Sequence, residues 1–136
     1  MCRDVAAIYP MREDNTTWLL AADFDEANWQ ADVAAFRKCC TVLGLSPAVE
    51  RSRSGNGAHV WLFFSEPVSA ADARRLGSGL LTRTMACRHG MSFASYDRLF
   101  PTQDTVPKGG FGNLIALPFQ GQAQKGGNTL FADEQF

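Results

Sequence analysis

The chain has little net charge, few cysteines and no long apolar run. Its 136 residues carry 13 basic and 14 acidic side chains, a formal net charge of −1. This balance argues against a nonspecific polyanion binder, so a nucleic-acid ligand would need a local basic surface. No apolar run reaches membrane-spanning length, and the first residues lack the apolar core of a signal peptide. The four cysteines show no CxxC spacing, which predicts reduced thiols in a cytoplasmic protein. Because a membrane-spanning run is lacking, no membrane partner is expected.

Length and patterning predict a single domain, residues 1–136, of the α+β class. Amphipathic helices are expected after Asp25 and after Ser69, ending near Gly44 and Gly90. The predicted strands are residues 5–10, 18–23, 48–53, 59–64, 92–100, 113–119 and 129–132. We therefore expect an antiparallel sheet with helices packed on one face.

Two aspartates, Asp23 and Asp25, close an apolar run. Because strand residues alternate between faces, both side chains point the same way, and adjacent carboxylates repel unless a cation lies between them. One interpretation is a site for a divalent metal with oxygen ligands. The other is that Asp25 is the N-cap of the following helix. The two roles are compatible.

A small polar hairpin, residues 51–59, follows the first helix. Its small residues would let a phosphate approach backbone N–H groups. Arg51 and Arg53 are expected to share a strand face, and their guanidinium groups suit phosphate oxygens. His59 starts a very apolar strand, which anchors its ring near the hairpin. The alternative is an ordinary glycine-rich hairpin with solvated arginines.

Two later segments offer further ligands. Asp97 lies in an aromatic-rich strand and would complete a carboxylate triad, or it is an edge-strand acid paired with Arg98 or solvent. Asp104 is its rival as third ligand. Lys108, in a glycine-rich loop without Walker A spacing, suits a triphosphate or a template backbone, or belongs to a mobile surface loop.

The order of these segments resembles the archaeo-eukaryotic primase superfamily, with its DxD pair, small-x-His and later strand acid. The strings AADFD, ERSRSGNGAHVWLFF, SYDRLFPTQD and PKGGFGNLIALP are similar to the primase domain of TOTE conflict systems. The resemblance covers nearly the whole chain. It implies an RRM-like catalytic core and a DNA primase-polymerase, a nucleotidyltransferase of replication or repair. Its substrates would be NTP or dNTP and single-stranded template or primer-template DNA.

The resemblance also implies residue roles. Asp23, Asp25 and Asp97 would be catalytic and bind two Mg²⁺ or Mn²⁺ ions for two-metal nucleotidyl transfer. Gly57 stands where many relatives have Ser, so a hydroxyl contact is lost unless a neighbouring serine replaces it. Together with the hairpin and loop chemistry, the expected nucleotide-binding residues are Arg51, Ser52, Arg53, Ser54, Gly55, Asn56, His59 and Lys108.

In such proteins the domain tends to follow a cysteine-rich, zinc-binding segment and often accompanies a helicase. The chain is therefore expected to be an excised domain or a stand-alone relative. Other classes stay open: an RRM-like module that binds nucleotide or nucleic acid without polymerase activity, or a metal-dependent nuclease, since two-metal chemistry also serves hydrolysis. A nucleotide-sugar transferase is disfavoured by the hairpin, which the resemblance makes a triphosphate cradle.

Overall fold

The computed structural model describes residues 5–91 and 98–133. Their strands form a five-stranded antiparallel sheet in the order β5-β2-β4-β3-β7 and a separate two-stranded ribbon of β1 and β6. The strands are β1 Ala7–Ile8, β2 Thr16–Phe24, β3 Ala48–Arg51, β4 Ala58–Ser69, β5 Arg98–Phe100, β6 Ile115–Ala116 and β7 Phe131–Ala132. The helices are α1 Trp29–Val42, α2 Ala70–Cys87 and α3 Gly121–Gln124. The predicted α+β class and antiparallel sheet are confirmed.

The main sheet buries both faces to different extents. One face, called the helix face, carries Leu20, Ala22 and Phe24 of β2, which join side chains of α1 and α2 in the larger core cluster. The opposite face, called the front face, carries Leu19, Ala21 and Trp61, which pack with Phe100 and with Ile115 of the ribbon. The ribbon therefore covers part of the front face, a second layer that the sequence did not predict.

The start of α1 differs from the prediction. Asn28, not Asp25, is its N-cap, and it makes no side-chain capping hydrogen bond. A turn precedes the helix, in which the Trp29 N–H donates to the Glu26 carbonyl oxygen at 2.9 Å. The prediction that Asp25 caps α1 is wrong, because this turn moves the first free N–H groups beyond its reach.

The other helix ends follow their local signals. α1 stops before Gly44, whose φ is +76°, and the Leu45 N–H donates to the Cys40 carbonyl oxygen at 3.0 Å. At the start of α2, Ser69 Oγ accepts from the Asp72 N–H at 3.1 Å and donates to Asp72 Oδ2 at 2.7 Å. These ends were predicted because capping depends on only a few neighbouring residues.

The late strands are shorter than predicted. The predicted strand 113–119 reduces to β6, which pairs with β1 rather than joining the main sheet. The predicted strand 92–100 is seen as β5 from Arg98, and its first six residues lie outside the described residues. None of the helices in residues 5–91 and 98–133 has the length and hydropathy of a membrane span.

The cysteines of the described part of the chain are free thiols, in line with the predicted reduced state: Cys39, Cys40 and Cys87. Burial, with a smaller contribution from the neighbouring Cys39, raises the pKa of the Cys40 thiol to about 12. Cys40 is therefore a core residue and not a nucleophile.

Candidate functional site

A row of charged side chains crosses the front face where β2 ends. Strand pairing sets Arg98 of β5 opposite Asp23 of β2, Asp23 opposite His59 of β4, and His59 opposite Glu50 of β3. Directly opposed residues in antiparallel strands share a face. Arg98, Asp23, His59 and Glu50 form what we call the charged row, in which acidic residues alternate with basic ones.

The buried Glu50 carboxylate contacts the His59 ring. Its side chain is 1% exposed, and its Oε2 accepts from the Trp61 indole Nε1 at 2.9 Å and lies 3.1 Å from His59 Nδ1. Because a carboxylate oxygen accepts hydrogen bonds, His59 Nδ1 is the donor in the second contact. The remaining ring nitrogen, Nε2, faces Asp23 Oδ1 at 3.5 Å. Glu50 thus sets the tautomer and the orientation of the ring.

The charged row raises the pKa of His59. Burial, the largest single influence, disfavours the imidazolium, and the charge of Arg98 acts in the same direction. The hydrogen bond to Glu50 and the negative charges of Asp23 and Glu50 outweigh both, so the pKa lies above its ordinary value. The raised pKa favours the imidazolium, which presents an N–H at Nε2.

Asp23 and Asp25 lie at the same end of the sheet as His59. Asp23 is 17% exposed in its side chain, and Asp25 is an exposed residue just past β2. The backbone at Phe24 and Asp25 packs closely against Gly57. A Cβ added to Gly57 would lie 2.4 Å from the Phe24 carbonyl oxygen and 3.1 Å from the Asp25 Cα. Position 57 accommodates glycine without a backbone shift, whereas the Cβ of a serine would collide with the Phe24 carbonyl oxygen.

The two carboxylates have the hard oxygen donors that Mg²⁺ and Mn²⁺ prefer, so they fit the predicted metal. Asp97, the predicted third ligand, lies outside the described residues. Among residues 5–91 and 98–133, no group of three His, Cys, Asp or Glu side chains is arranged to hold an ion. The rival Asp104 forms an ion pair with Arg74 of α2, Nε to Oδ1 at 3.0 Å. Its carboxylate is thus tied to a helix that packs on the opposite face of the sheet.

The hairpin forms as predicted, but its arginines do not join the charged row. Arg51 is paired with Ala58, a residue of the helix-face core, so strand alternation directs Arg51 away from the front face. Its Nε donates to the Gly55 carbonyl oxygen at 3.2 Å. Arg53 lies beyond the end of β3 in the loop and is exposed, so the expectation that both arginines share a strand face is wrong.

The small residues of the hairpin loop bond mostly to one another. The Ser52 N–H donates to the Gly57 carbonyl oxygen at 2.8 Å, and the Gly55 N–H donates to the Ser52 carbonyl oxygen at 3.0 Å. Ser54 Oγ lies 3.1 Å from Ser52 Oγ and accepts from the Asn56 N–H at 3.2 Å. The loop is a closed turn on which the side chains of Arg53, Ser54 and Asn56 are exposed.

Lys108 is not brought near the charged row. Its loop is fastened two residues earlier, where the Val106 N–H donates to Asn15 Oδ1 at 2.7 Å. Asn15 precedes Asp23 by eight residues, about 26 Å along an extended strand. The expected grouping of Lys108 with the hairpin is therefore wrong, because the glycine-rich loop docks at the other end of β2.

Comparison with known proteins decides the family. A family model described as the archaeo-eukaryotic primase domain of TOTE conflict systems matches residues 2–136. The chain belongs to this family. No curated protein matches it. Among solved structures it is similar to the polymerase domain from Mycobacterium tuberculosis Ligase D in complex with DNA, with 20% identity and a TM-score of 0.55, over 79% of this chain and 41% of that one. That likeness supports the shared fold.

Within this archaeo-eukaryotic primase domain, Glu50 is the residue that sequence reasoning missed. The predicted strand contained it, but nothing marked it as buried. A usable signal existed in the hairpin itself: once Arg51 is paired with Ala58, Glu50 must oppose His59. A buried carboxylate requires hydrogen-bond partners to offset its burial, and His59 and Trp61 supply them to Glu50.

Proposed function

We propose that the chain is a primase-polymerase nucleotidyltransferase that adds nucleotides to a DNA 3′-hydroxyl on a single-stranded template or primer-template. Its membership of the primase family supports the reaction class. The observation that carries the proposal within the structure is the contact between His59 and Asp23, with Nε2 and Oδ1 3.5 Å apart and Glu50 fixing the ring. This contact supports the proposal because an imidazolium suits a phosphate and a carboxylate suits a divalent metal.

His59 binds a phosphate of the incoming nucleotide through Nε2. Its Nδ1 is committed to Glu50, so only Nε2 is available to a ligand. The raised pKa favours the imidazolium, which offsets the negative charge that builds up on the triphosphate during transfer. Since the ring is only 13% exposed, little water competes for that hydrogen bond.

Asp23 and Asp25, with Asp97 as the proposed third ligand, hold Mg²⁺ or Mn²⁺. When bound, such ions activate the primer 3′-hydroxyl and neutralise charge on the triphosphate and the departing pyrophosphate. Two observations support this assignment: Asp23 lies near the end of β2, and its Oδ1 is 3.5 Å from Nε2 of the His59 ring. A module that only bound nucleic acid would have no use for acidic side chains next to its ligand's phosphates.

Primer extension tests the proposal. A labelled primer-template is incubated with dNTPs and Mn²⁺ or Mg²⁺, using the wild-type chain and the Asp23→Asn, Asp25→Asn double variant. The matched control is Asp104→Asn, which removes a carboxylate bound to Arg74. Extension by the wild type and the control, but not by the double variant, is expected.

Two results would count against it. Full extension by the double variant would overturn the metal assignment. Shortening of the labelled oligonucleotide without added nucleotide, dependent on the same aspartates, would instead identify a metal-dependent nuclease.

A further inference from the structure

Two exposed phenylalanines continue the charged row beyond Glu50. Phe131 of the edge strand β7 is directly opposite Glu50, so it shares the front face. Its side chain packs against Phe119, with ring centroids 5.6 Å apart and ring planes at 68°. Phe131 is 41% exposed and Phe119 58% exposed. We call these two residues the aromatic platform.

Phe119 is held in a strained backbone conformation. Its φ is +62°, a left-handed conformation that is strained for an aromatic residue. The Phe119 N–H donates to the Thr129 carbonyl oxygen at 2.7 Å. The next residue, Gln120, is 6% exposed, and its Nε2 donates to the carbonyl oxygens of Ala6 and Leu117, each at 2.7 Å. An anchored backbone thus presents an apolar ring to solvent.

We propose that the aromatic platform stacks the nucleobase of a nucleoside triphosphate whose phosphates lie at His59. This inference rests on the proposed function. Two strand spacings separate β4 from β7, so Phe131 lies about 10 Å from His59 across the sheet. That separation is comparable with the span from the triphosphate to the base of an extended nucleotide.

The chemistry of the two ends of the row sets the direction of the nucleotide. Beyond Asp23 the row continues to a cation, Arg98, which suits phosphate. Beyond Glu50 it continues to two aromatic rings, which suit a base because every base has a π-face. The nucleotide therefore extends from β4 towards β7, and the platform binds purines and pyrimidines without reading their edges.

A purely structural role for the rings makes a different prediction. In that alternative the rings only shield the Glu50 carboxylate from water, since Phe131 is paired with Glu50. Leucine preserves such an apolar cover but has no π-face to stack on a base. Phe119→Leu and Phe131→Leu therefore separate the two roles.

Calorimetric titration with dATP and with inorganic tripolyphosphate, both with Mn²⁺ and without primer, tests the platform. Each leucine variant should weaken dATP binding about 5-fold or more and leave tripolyphosphate binding unchanged. The matched control is Phe111→Leu: Phe111 is 60% exposed and pairs with Tyr9 at a centroid distance of 5.2 Å. This substitution should leave the affinity for dATP and for tripolyphosphate unchanged. The wild type should also quench the fluorescence of 2-aminopurine deoxyribonucleoside triphosphate, a result that requires no variant.

The outcomes distinguish failure of this inference from failure of the proposed function. Wild-type binding of both ligands, with dATP affinity unchanged in the leucine variants and no quenching, overturns the platform alone. Equal loss of dATP and tripolyphosphate in those variants also overturns it, because it identifies the rings as a cover for Glu50. If the wild type binds neither ligand with Mn²⁺, the proposed function falls and the platform with it.

Discussion

Glu50 and His59 face each other across the β3–β4 pair, with Glu50 Oε2 3.1 Å from His59 Nδ1. The glutamate is almost completely buried and also accepts the Trp61 indole hydrogen bond. A carboxylate on the protein side of the ring leaves the other nitrogen, Nε2, for Asp23 and a ligand. The ring's orientation and charge are thus controlled by a residue that itself cannot touch the ligand's phosphates.

Removing the charge of Glu50 should lower the pKa of His59. Glu50→Gln retains the shape of the side chain but removes one of the negative charges that favour the imidazolium, while burial still opposes it. NMR titration of the His59 ring, in a His89→Gln background that leaves one histidine, measures this pKa. The matched control is Glu66→Gln, an exposed glutamate on the same strand, β4. An unchanged His59 pKa in Glu50→Gln would refute the assigned partnership.

His59 should make the stability of the metal-free protein depend on pH. Because its folded-state pKa is raised, its stabilising contribution is fully present below its unfolded pKa of about 6.5 and is lost as the pH rises through the folded value. The free energy of unfolding by urea, wild type minus His59→Gln, should therefore fall with rising pH from 6 upwards. In a Glu50→Gln background the same difference should depend less on pH. A difference that grows with pH would contradict the assignment.

How much was predictable depended on how local each determinant is. Ser69 begins α2 and Gly44 follows α1 because capping involves adjacent residues. The alternation of strand and helix patterns along the chain likewise predicted the α+β class and the antiparallel sheet.

The remaining features depend on contacts between distant parts of the chain. Lys108 was grouped with the hairpin, but its loop is held by Asn15, 91 residues away from Val106. Phe131 meets Glu50 only because β7 adds to the edge of β3. Chemistry alone indicated phosphate-binding residues, and the strand order decided which of them share a face.

Adding a side chain at Gly57 should destabilise the protein and disturb Asp25. The new Cβ of Gly57→Ala would lie 2.4 Å from the Phe24 carbonyl oxygen, so the backbone must shift, at a cost of about 1–3 kcal/mol. The matched control is Gly79→Ala in α2, where a Cβ meets nothing within 4 Å and should stabilise by about 0.5–1 kcal/mol. Urea unfolding measures both. Equal effects of the two substitutions would show that Gly57 is not tightly enclosed.

The shift at Gly57 should also weaken metal binding, because Asp25 lies against this glycine. Mn²⁺ affinity, measured by the paramagnetic relaxation of water protons, should fall in Gly57→Ala and stay at the wild-type value in Gly79→Ala. Unchanged affinity in a destabilised Gly57→Ala protein would separate the packing of this turn from the metal site.

Lys108 should contribute nothing to binding of the triphosphate. Its loop is attached at Asn15, at the opposite end of β2 from Asp23, and Lys108 itself is exposed. Lys108→Ala should therefore bind tripolyphosphate with Mn²⁺ as tightly as the wild type in calorimetric titration. His59→Gln, which removes the imidazolium beside Asp23, should weaken that binding. Loss of affinity in Lys108→Ala comparable with that in His59→Gln would require the loop to reach the charged row, contrary to the position that its hydrogen bond to Asn15 gives it.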